Sequence, residues 1–327
     1  MFTPKQIQAK AKVAVVAGGA GFIGTHLCGR LLRDKYDVIC LDNLYTGSLE
    51  NIRQFFDNPH FCFINHDVTT PFTMEGVSVI FNLACPASPV QYQRNPVFTT
   101  QTSVIGTMNM LNLANANNCK MLQASTSEVY GDPTVHPQPE TYYGNVNPIG
   151  IRSCYDEGKR CAESLCMDYY RQYGTKIKIV RIFNTYGPYM SENDGRVISN
   201  FITQALRGEN LTIYGDGSQT RSFMYVDDLI EGFMRFIQTP DSFTGPVNLG
   251  NPEEYTIGQL ANLIIAKTNS MSKTVYKPLP ENDPSRRKPD ISAIQEIWSP
   301  STHVDHGIAN TISYYAAKLQ KEIRHAG

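Results

Sequence analysis

The feature that most constrains this chain is a glycine-rich turn between an apolar run and a helical repeat, within residues 12–32 (KVAVVAGGAGFIGTHLCGRLL). Three glycines stand at intervals of three along the turn: Gly18, Gly21 and Gly24. Because a glycine has no Cβ, a pyrophosphate can approach the backbone there, and the free N–H groups of the following helix can face that charge. The segment therefore predicts a strand, a tight turn and a helix that bind a dinucleotide. A turn that only packs a helix onto a sheet is the alternative.

An acidic strand end follows the turn by ~20 residues, the spacing at which such folds hold a ribose. The run YDVICLDN, residues 36–43, is apolar at its centre and reaches Asp42. A carboxylate at this place can accept hydrogen bonds from both ribose hydroxyls of an adenosine, and it repels a 2′-phosphate. The sequence therefore favours NAD over NADP as the cofactor.

Strand-like and helix-like patterns alternate through the first half of the chain. Apolar strand-like runs occur at 13–17, 37–41, 60–65, 77–83, 119–125 and 177–183. Helical periodicity is clearest at 22–33, 97–117 and 156–172. Such alternation predicts an α/β fold, a Rossmann-type doubly wound parallel sheet with helices on both faces.

The pattern changes after about residue 185, where short strands, Pro and Gly turns and polar loops dominate. Helical patterns return near 196–207, 226–238, 256–268 and 303–322. We therefore expect a NAD-binding Rossmann domain over 1–184, with a return to the sheet near 224–250. The remaining residues, mainly 185–327, are expected to form a smaller, irregular substrate-binding domain.

The bulk composition excludes several classes of protein. With 327 residues, of which 41% are hydrophobic and 18% charged, the chain can form a substantial globular core. A formal net charge of −1 gives no electrostatic reason to expect nucleic acid or an anionic membrane as a partner. The eight cysteines lack a CxxC pair and a His/Cys cluster, which indicates reduced structural thiols and no metal site. Since no run approaches ~20 apolar residues and no signal-peptide core is seen, we expect a cytoplasmic location.

Two segments carry the residue types needed for proton and hydride transfer. The run QASTSEVYG, residues 123–131, leaves an apolar strand and places hydroxyls and Glu128 at its C-terminal end, where such sheets bind ligands. Tyr155 and Lys159 are four residues apart at the start of a helix and share one of its faces. An ammonium near a phenol is expected to lower the pKa of the phenol from about 10. Such a tyrosine can take a proton from a sugar hydroxyl while hydride passes to a nicotinamide.

On its own the Tyr–Lys spacing is common, and Tyr155 could simply pack in a helix beside a solvated Lys159. Its place after a dinucleotide-binding turn, and ~30 residues beyond a hydroxyl-rich strand end, favours the catalytic interpretation.

Taken together, GGAGFIG, Asp42, STSEVYG and YDEGK resemble the extended short-chain dehydrogenase/reductase family that acts on nucleotide sugars. The resemblance covers nearly the whole chain, from about residue 12 to about residue 300. Five strings are similar to the members of that family that decarboxylate UDP-glucuronate: NLACPASPVQYQRNP (82–96), PQPETYYGNVNPIGIRSCYDEGKR (137–160), RIFNTYGPYMSENDGRVISNF (181–201), GDGSQTRSFMYVDDL (215–229) and RRKPDI (286–291). The chain departs from the family at Ala17, where Thr is frequent, and at Cys85, where Ser is common.

The resemblance implies a role for each matching residue. Cofactor-binding positions would be Gly18, Gly21, Phe22, Ile23 and Gly24 at the pyrophosphate, Asp42, Asn43 and Asp67 at the adenosine, and Tyr155 and Lys159 at the nicotinamide end. Catalytic positions would be Tyr155 as base, Lys159 as its partner, Thr126, Ser127, Glu128 and Arg287. Substrate-binding positions would be Pro86, Ala87, Ser88, Asn184, Arg196, Arg221 and Arg287. For Arg221 and Arg287 the alternative is a solvated loop charge, and for Asn184 it is the satisfaction of backbone groups at a strand end.

The implied reaction is an NAD-dependent decarboxylation of UDP-glucuronate to UDP-xylose by oxidation at C4, loss of CO2 from the 4-keto acid and reduction by the same bound cofactor. Alternatives on the same scaffold are an oxidative decarboxylase that stops at the 4-keto pentose, a 4-epimerase and a 4,6-dehydratase. A non-catalytic NAD sensor would be expected to have lost Tyr155 or Lys159. The helical patterns at 97–117 and 156–172 match those through which the family forms homodimers, and the C-terminal part would bind the nucleotide sugar.

Overall fold

A computed structural model describes residues 12–192, 195–279 and 286–326 of the chain. The strands are β1 (Val13–Ala17), β2 (Asp37–Asp42), β3 (Phe61–Asn65), β4 (Val77–Asn82), β5 (Lys120–Thr126), β6 (Ile177–Ile182), β7 (Thr185–Tyr186), β8 (Leu211–Tyr214), β9 (Thr220–Ser222), β10 (Met224–Tyr225), β11 (Val247–Leu249), β12 (Glu254–Thr256), β13 (Thr274–Lys277) and β14 (Arg286–Arg287). The helices are α1 (Phe22–Arg33), α2 (Leu49–Ile52), α3 (Pro89–Arg94), α4 (Pro96–Gln101), α5 (Thr107–Asn117), α6 (Ser153–Tyr173), α7 (Val197–Leu206), α8 (Val226–Ile237), α9 (Ile257–Thr268) and α10 (Val304–Ala326).

Seven of the strands form one sheet in the order β11-β6-β5-β4-β1-β2-β3. Every pairing in this sheet is parallel. The chain starts in the middle at β1, moves outward to β3, returns to β4 and then moves outward on the other side. This reversal leaves a crevice at the carboxyl ends of β1 and β4, the place where doubly wound sheets bind ligands. The predicted Rossmann-type fold is therefore confirmed.

Helices cover both faces of the sheet. On one face α1 and α8 contribute Leu27 and Phe233 to a large apolar cluster that includes Val16 of β1. On the other face α5 and α6 contribute Leu111 and Cys166 to a second cluster. Successive residues of a strand point to opposite faces, and a strand buried on both sides must therefore be apolar throughout, as β1 is.

The C-terminal part returns to the sheet before it ends. β11 pairs with β6, and α8 lies beside α1, where the Arg30 guanidinium donates to the Glu231 carboxylate at 2.6 Å. The remaining strands form small sheets of two or three strands. One of these pairs β14 with β9 in parallel, with Arg287 opposite Arg221. The division at residue 184 stays a prediction, since the sheet contains strands from both sides of it.

The prediction of one helix over 97–117 is wrong in one respect, because the segment is not α-helical throughout. A π-helical turn at 102–106 separates α4 from α5. The turn places Ser103 against Cys85, with 3.2 Å between Oγ and Sγ, and against Gly158 of α6. A Cβ on Gly158 would lie 3.0 Å from the Ser103 Cβ, so the two helical segments approach closely at this point.

Within the described ranges no helix is long and apolar enough to cross a membrane, and no group of His, Cys, Asp and Glu residues is arranged to hold a metal ion. All eight cysteines are free thiols. Cys28, Cys40, Cys119 and Cys166 are buried.

Candidate active site

A single cleft of about 1190 Å³ runs along the carboxyl ends of the central strands and beneath the C-terminal part. It brings together nearly all of the residues predicted from the sequence. The lining includes Gly18, Gly21, Phe22, Ile23, Gly24, Asp42, Asn43, Pro86, Ala87, Ser88, Thr126, Ser127, Glu128, Tyr155, Lys159, Asn184, Arg196, Arg221 and Arg287. Asp67 does not line the cleft but accepts a hydrogen bond from the Asn43 amide at 3.1 Å, so it lies behind that residue.

The glycine turn forms a cradle that side chains would fill. Gly18 has a φ of +78°, and a Cβ there would lie 2.9 Å from the Ala84 backbone nitrogen. A Cβ on Gly24 would overlap the Gly18 carbonyl. Helix α1 begins after Gly21 without a side-chain cap, so its first N–H groups face the cleft free of protein side chains. An uncapped helix start with bare backbone around it fits the pyrophosphate of a dinucleotide.

Asp42 is the last residue of β2, and it is buried, with 8% of its surface exposed. Its two oxygens accept hydrogen bonds from the backbone N–H groups of Ala20 at 3.0 Å and Leu44 at 2.8 Å. Burial raises the pKa of Asp42, and these two hydrogen bonds act in the opposite direction. A carboxylate has about four acceptor positions, so two remain for ribose hydroxyls. The turn and Asp42 together fit the adenosine diphosphate half of NAD.

Tyr155 and Lys159 lie on one face of α6, and both side chains are buried at the cleft. The Lys159 Nζ is 5.9 Å from the centre of the Tyr155 ring and donates to the Ala124 carbonyl at 2.9 Å. Tyr92 of α3 stacks on Tyr155, with 5.0 Å between ring centres and 4° between the planes. Burial raises the pKa of Tyr155, with Cys85 acting in the same direction. The prediction that the Tyr–Lys spacing lowers the pKa of Tyr155 is therefore wrong, because burial of the phenol raises it.

Glu128 is directed into the cleft by the way β5 ends. Thr126 accepts a hydrogen bond from the Glu128 N–H at 3.2 Å and so caps a 3₁₀-helical turn over 127–130. This turn places Ser127 and Glu128 at the carboxyl end of the sheet beside Tyr155. The neighbouring Ser125 is already engaged, because its hydroxyl donates to Glu163 at 2.5 Å.

Glu128 accepts hydrogen bonds from two arginines that come from different parts of the chain. Arg287 of β14 donates to both carboxylate oxygens, from Nη1 to Oε1 and from Nη2 to Oε2 at 2.8 Å. Arg152, the residue before α6, donates to Oε2 at 2.6 Å. Burial alone would raise the pKa of Glu128, but the two guanidinium groups outweigh it, and the pKa of this carboxyl is lowered. At neutral pH the site therefore holds an ionised glutamate between two cations.

Arg287 is buried, with 4% of its surface exposed, so the solvated interpretation does not describe its position. Its register opposite Arg221 on β9 brings both arginines to the lining of the cleft. At the other end of the lining the guanidinium of Arg196, before α7, lies 5.8 Å from the Phe22 ring centre. Asn184, between β6 and β7, accepts the Met224 N–H with its carbonyl.

Among the described residues, no hydrogen-bond partner is found for three buried polar atoms of the lining: the Ser88 hydroxyl, the Tyr92 hydroxyl and the Arg287 Nε. Buried polar groups in folded proteins are nearly always bonded, so such a cluster indicates a site that a polar ligand completes. The sequence analysis predicted a site role neither for Tyr92 nor for Arg152. Both lie inside quoted family strings, but only the folded chain shows that they face Tyr155 and Glu128.

Comparisons with known proteins agree with this geometry. The model of the NAD dependent epimerase/dehydratase family matches residues 14–258. UDP-glucuronic acid decarboxylase 4 of Arabidopsis thaliana is 52% identical over 307 residues, which cover 93% of this chain and 69% of that protein. UDP-glucuronic acid decarboxylase 1 of Danio rerio is 48% identical over 313 residues, with 95% and 74% covered.

Solved structures give the same fold. A UDP-glucuronic acid 4-epimerase from Bacillus cereus, in complex with UDP-glucuronic acid and NAD, superposes with a TM-score of 0.84 at 26% identity and covers 94% of this chain and 99% of its own. A UDP-glucose 4-epimerase from Thermotoga maritima, with UDP-glucose, gives a TM-score of 0.85 at 28% identity with the same coverage.

We predict that Asp42→Asn weakens NAD binding by about tenfold or more, since a charged acceptor becomes a neutral amide. The same change should narrow the preference for NAD over NADP, because repulsion of a 2′-phosphate is lost. Titration of both cofactors by calorimetry measures each effect. Asp57→Asn, at an exposed carboxylate of the same domain, is the matched control. An unchanged NAD affinity in Asp42→Asn would remove Asp42 from the cofactor site.

Proposed function

The chain belongs to the NAD dependent epimerase/dehydratase family and, within it, to the UDP-glucuronic acid decarboxylases, and from this membership we infer that it converts UDP-glucuronate to UDP-xylose and CO2. The observation that carries the inference is the ionised Glu128 held by Arg287 and Arg152, next to the Tyr155–Lys159 pair. A sugar acid needs cationic groups for its carboxylate and a base for its hydroxyl, and this cleft places both together.

The chain's own residues supply the binding and proton-transfer groups for a redox-neutral cycle. The glycine cradle and Asp42 would hold the cofactor, and bound NAD supplies a hydride acceptor and donor within each turnover. Tyr155 is positioned to take the proton from the C4 hydroxyl. Lys159, with its ammonium 5.9 Å from the ring centre, stabilises the phenolate that burial disfavours.

Loss of CO2 requires stabilisation of negative charge on the sugar. In a 4-keto acid the carboxylate is β to a ketone, so the bond between C5 and the carboxyl carbon breaks to leave an enolate. The Arg287 guanidinium, buried and with a free Nε–H, is placed to stabilise that charge. A proton must then be added at C5, and Glu128 and Arg287 are the groups at this end of the cleft that can position its donor.

Other reactions on the same scaffold have specific requirements. A 4,6-dehydratase would need an aspartic acid after β5 to protonate a leaving hydroxyl, where this chain has Ser127 before Glu128. A 4-epimerase needs only the tyrosine, the lysine and a hydroxyl. It does not require a glutamate that is hydrogen-bonded to two arginines. An oxidative decarboxylase that stops at the 4-keto pentose would use the same cluster, and analysis of the products separates it from the proposed cycle.

We also propose that the protein is a homodimer formed through α4, α5 and α6. Along the first two helices a stripe of exposed residues recurs at intervals of three or four, namely Gln101, Ile105, Met108 and Asn112. This stripe lies next to α6, since α5 and α6 are in contact. The two apolar members of this stripe, Ile105 and Met108, are exposed, which supports burial against a second copy.

Sedimentation of the 36.6-kDa chain should give a mass of about two copies. The substitution Met108→Lys would place a charge in the proposed interface and is expected to shift the population to monomer. Met271→Lys, at a methionine that is 95% exposed elsewhere on the surface, serves as the control. A monomeric wild-type protein would rule the interface out.

A cytoplasmic location is also proposed, because all eight cysteines are free thiols, as is usual in a reducing compartment. Cell fractionation followed by detection of the chain tests it, and recovery of the protein with membranes or outside the cell would contradict it.

We predict that Tyr155→Phe lowers kcat on UDP-glucuronate by about 10³-fold, within the range expected when a general base is removed. The ring and its stacking on Tyr92 are kept, so affinity for NAD and for UDP-xylose should change little. Tyr173→Phe, at a half-exposed tyrosine that ends the same helix, is the matched control. Near-normal turnover by Tyr155→Phe would overturn the proposed mechanism.

A further inference from the structure

One buried carboxylate beside the cleft has no place in the mechanism described so far. Asp156 follows Tyr155 in the first turn of α6 and is 6% exposed. Its Oδ1 is buried and accepts no hydrogen bond from any residue that the structure describes. Burying an ionised carboxylate without partners costs free energy, so such a group in a folded protein calls for an explanation. Asp156 does not line the cleft, so any effect on the substrate passes through its neighbours.

Those neighbours are the groups that carry charge at the reacting end of the cleft. Asp156 is four residues after Arg152, so the two project from adjacent turns of one helix face. Glu128 after β5 and Arg287 of β14 also act on its charge. Ionisation of Asp156 therefore adds one negative charge next to the two guanidinium groups.

The other charged groups around Asp156 do not titrate with it. Arg221 acts on Glu128, and its guanidinium stays protonated. Glu157 pairs with Arg160, with 3.4 Å between Oε2 and Nε, and the pair is neutral overall. Tyr92 of α3 and Cys154 of α6 also face the carboxylate. Burial raises the pKa of both side chains, so each stays uncharged at neutral pH.

The titration of Asp156 falls in the working range of an enzyme. Burial, reinforced by the negative charge of Glu128, raises its pKa to about 7. Below that pH the carboxyl is neutral. Above it the carboxylate lowers the net charge of the cluster by one unit.

We propose that Asp156 is a positioning residue that controls, by binding or releasing one proton, the positive charge that Arg152 and Arg287 present to the carboxylate of the substrate. The inference rests on the proposed function, since it requires a sugar acid in the cleft. A bound carboxylate makes ionisation of Asp156 less favourable, so the site takes up a proton as the substrate binds above pH 7.

This uptake has the same direction as the proton demand of decarboxylation. One C–C bond to the carboxylate breaks, one C5–H bond forms, and CO2 leaves, so each turnover consumes one proton. The product lacks the carboxylate and therefore should not cause the uptake.

Binding is best measured without turnover, in the NAD-loaded Tyr155→Phe protein. We expect its affinity for UDP-glucuronate to fall about tenfold between pH 6 and pH 8.5, the effect of a coupling of about one pKa unit. Addition of Asp156→Asn should abolish this fall and keep the affinity high at pH 8.5. Addition of Glu157→Gln instead, which removes a more exposed carboxylate one residue away, should leave the fall unchanged. UDP-xylose should show little pH response in any of these proteins.

Calorimetry at pH 8 in two buffers of different ionisation enthalpy measures the proton directly. For a shift of the Asp156 pKa by about one unit from about 7, we expect uptake of about 0.4 proton per UDP-glucuronate at pH 8. This uptake should be lost in Asp156→Asn and absent with UDP-xylose. Binding of UDP-glucuronate with an unchanged pH response in Asp156→Asn, or with the same response for UDP-xylose, overturns this inference alone. Failure of UDP-glucuronate to bind at either pH, while NAD binds, overturns the proposed function and the inference with it.

Discussion

The structure depends on one requirement, that the carboxylate of Glu128 be paired where it is largely shielded from water. An ionised carboxylate in such a place is tolerated only when cations and hydrogen-bond donors surround it. The two donors that meet this need, Arg152 and Arg287, are 135 residues apart in the sequence and reach Glu128 from different elements of the fold. The pairing therefore joins the sheet, the start of α6 and the C-terminal part at a single point.

The sheet topology determines where this pairing lies in the cleft. The reversal of strand order between β1 and β4 opens a crevice, and the glycine cradle stands at one end of it while β5 delivers Glu128 at the other. The cofactor and sugar ends of the cleft are thus set by backbone geometry before any side chain acts. Arg287 is held at the cleft by the pairing of β14 with β9, so its charge is positioned by secondary structure and not by a free loop.

Local patterns predicted the fold and much of the site. The glycine spacing, the alternation of apolar runs and the Tyr155–Lys159 pair are short-range signals, and the structure places each as expected. Arg152 and Asp156 could not be assigned in this way, because their importance comes from contacts with Glu128 and Arg287 across the fold. The predicted downward shift of the Tyr155 pKa was wrong for a similar reason. The spacing shows the nearby lysine, but it does not show the burial that raises the pKa. The π-helical turn before α5 lies where the chain approaches α6 closely, and the helical periodicity of the sequence did not reveal it.

The central claim is a closed cycle in which the same bound cofactor oxidises and then reduces the sugar. Its most direct test is to incubate the purified protein with UDP-glucuronate, without added reductant, and to follow the sugar by proton NMR together with the absorbance of reduced nicotinamide. The account predicts accumulation of UDP-xylose with no net formation of NADH. A 4-keto pentose that accumulates together with NADH would show that the return of hydride is missing, and unchanged UDP-glucuronate would contradict the assignment of the substrate.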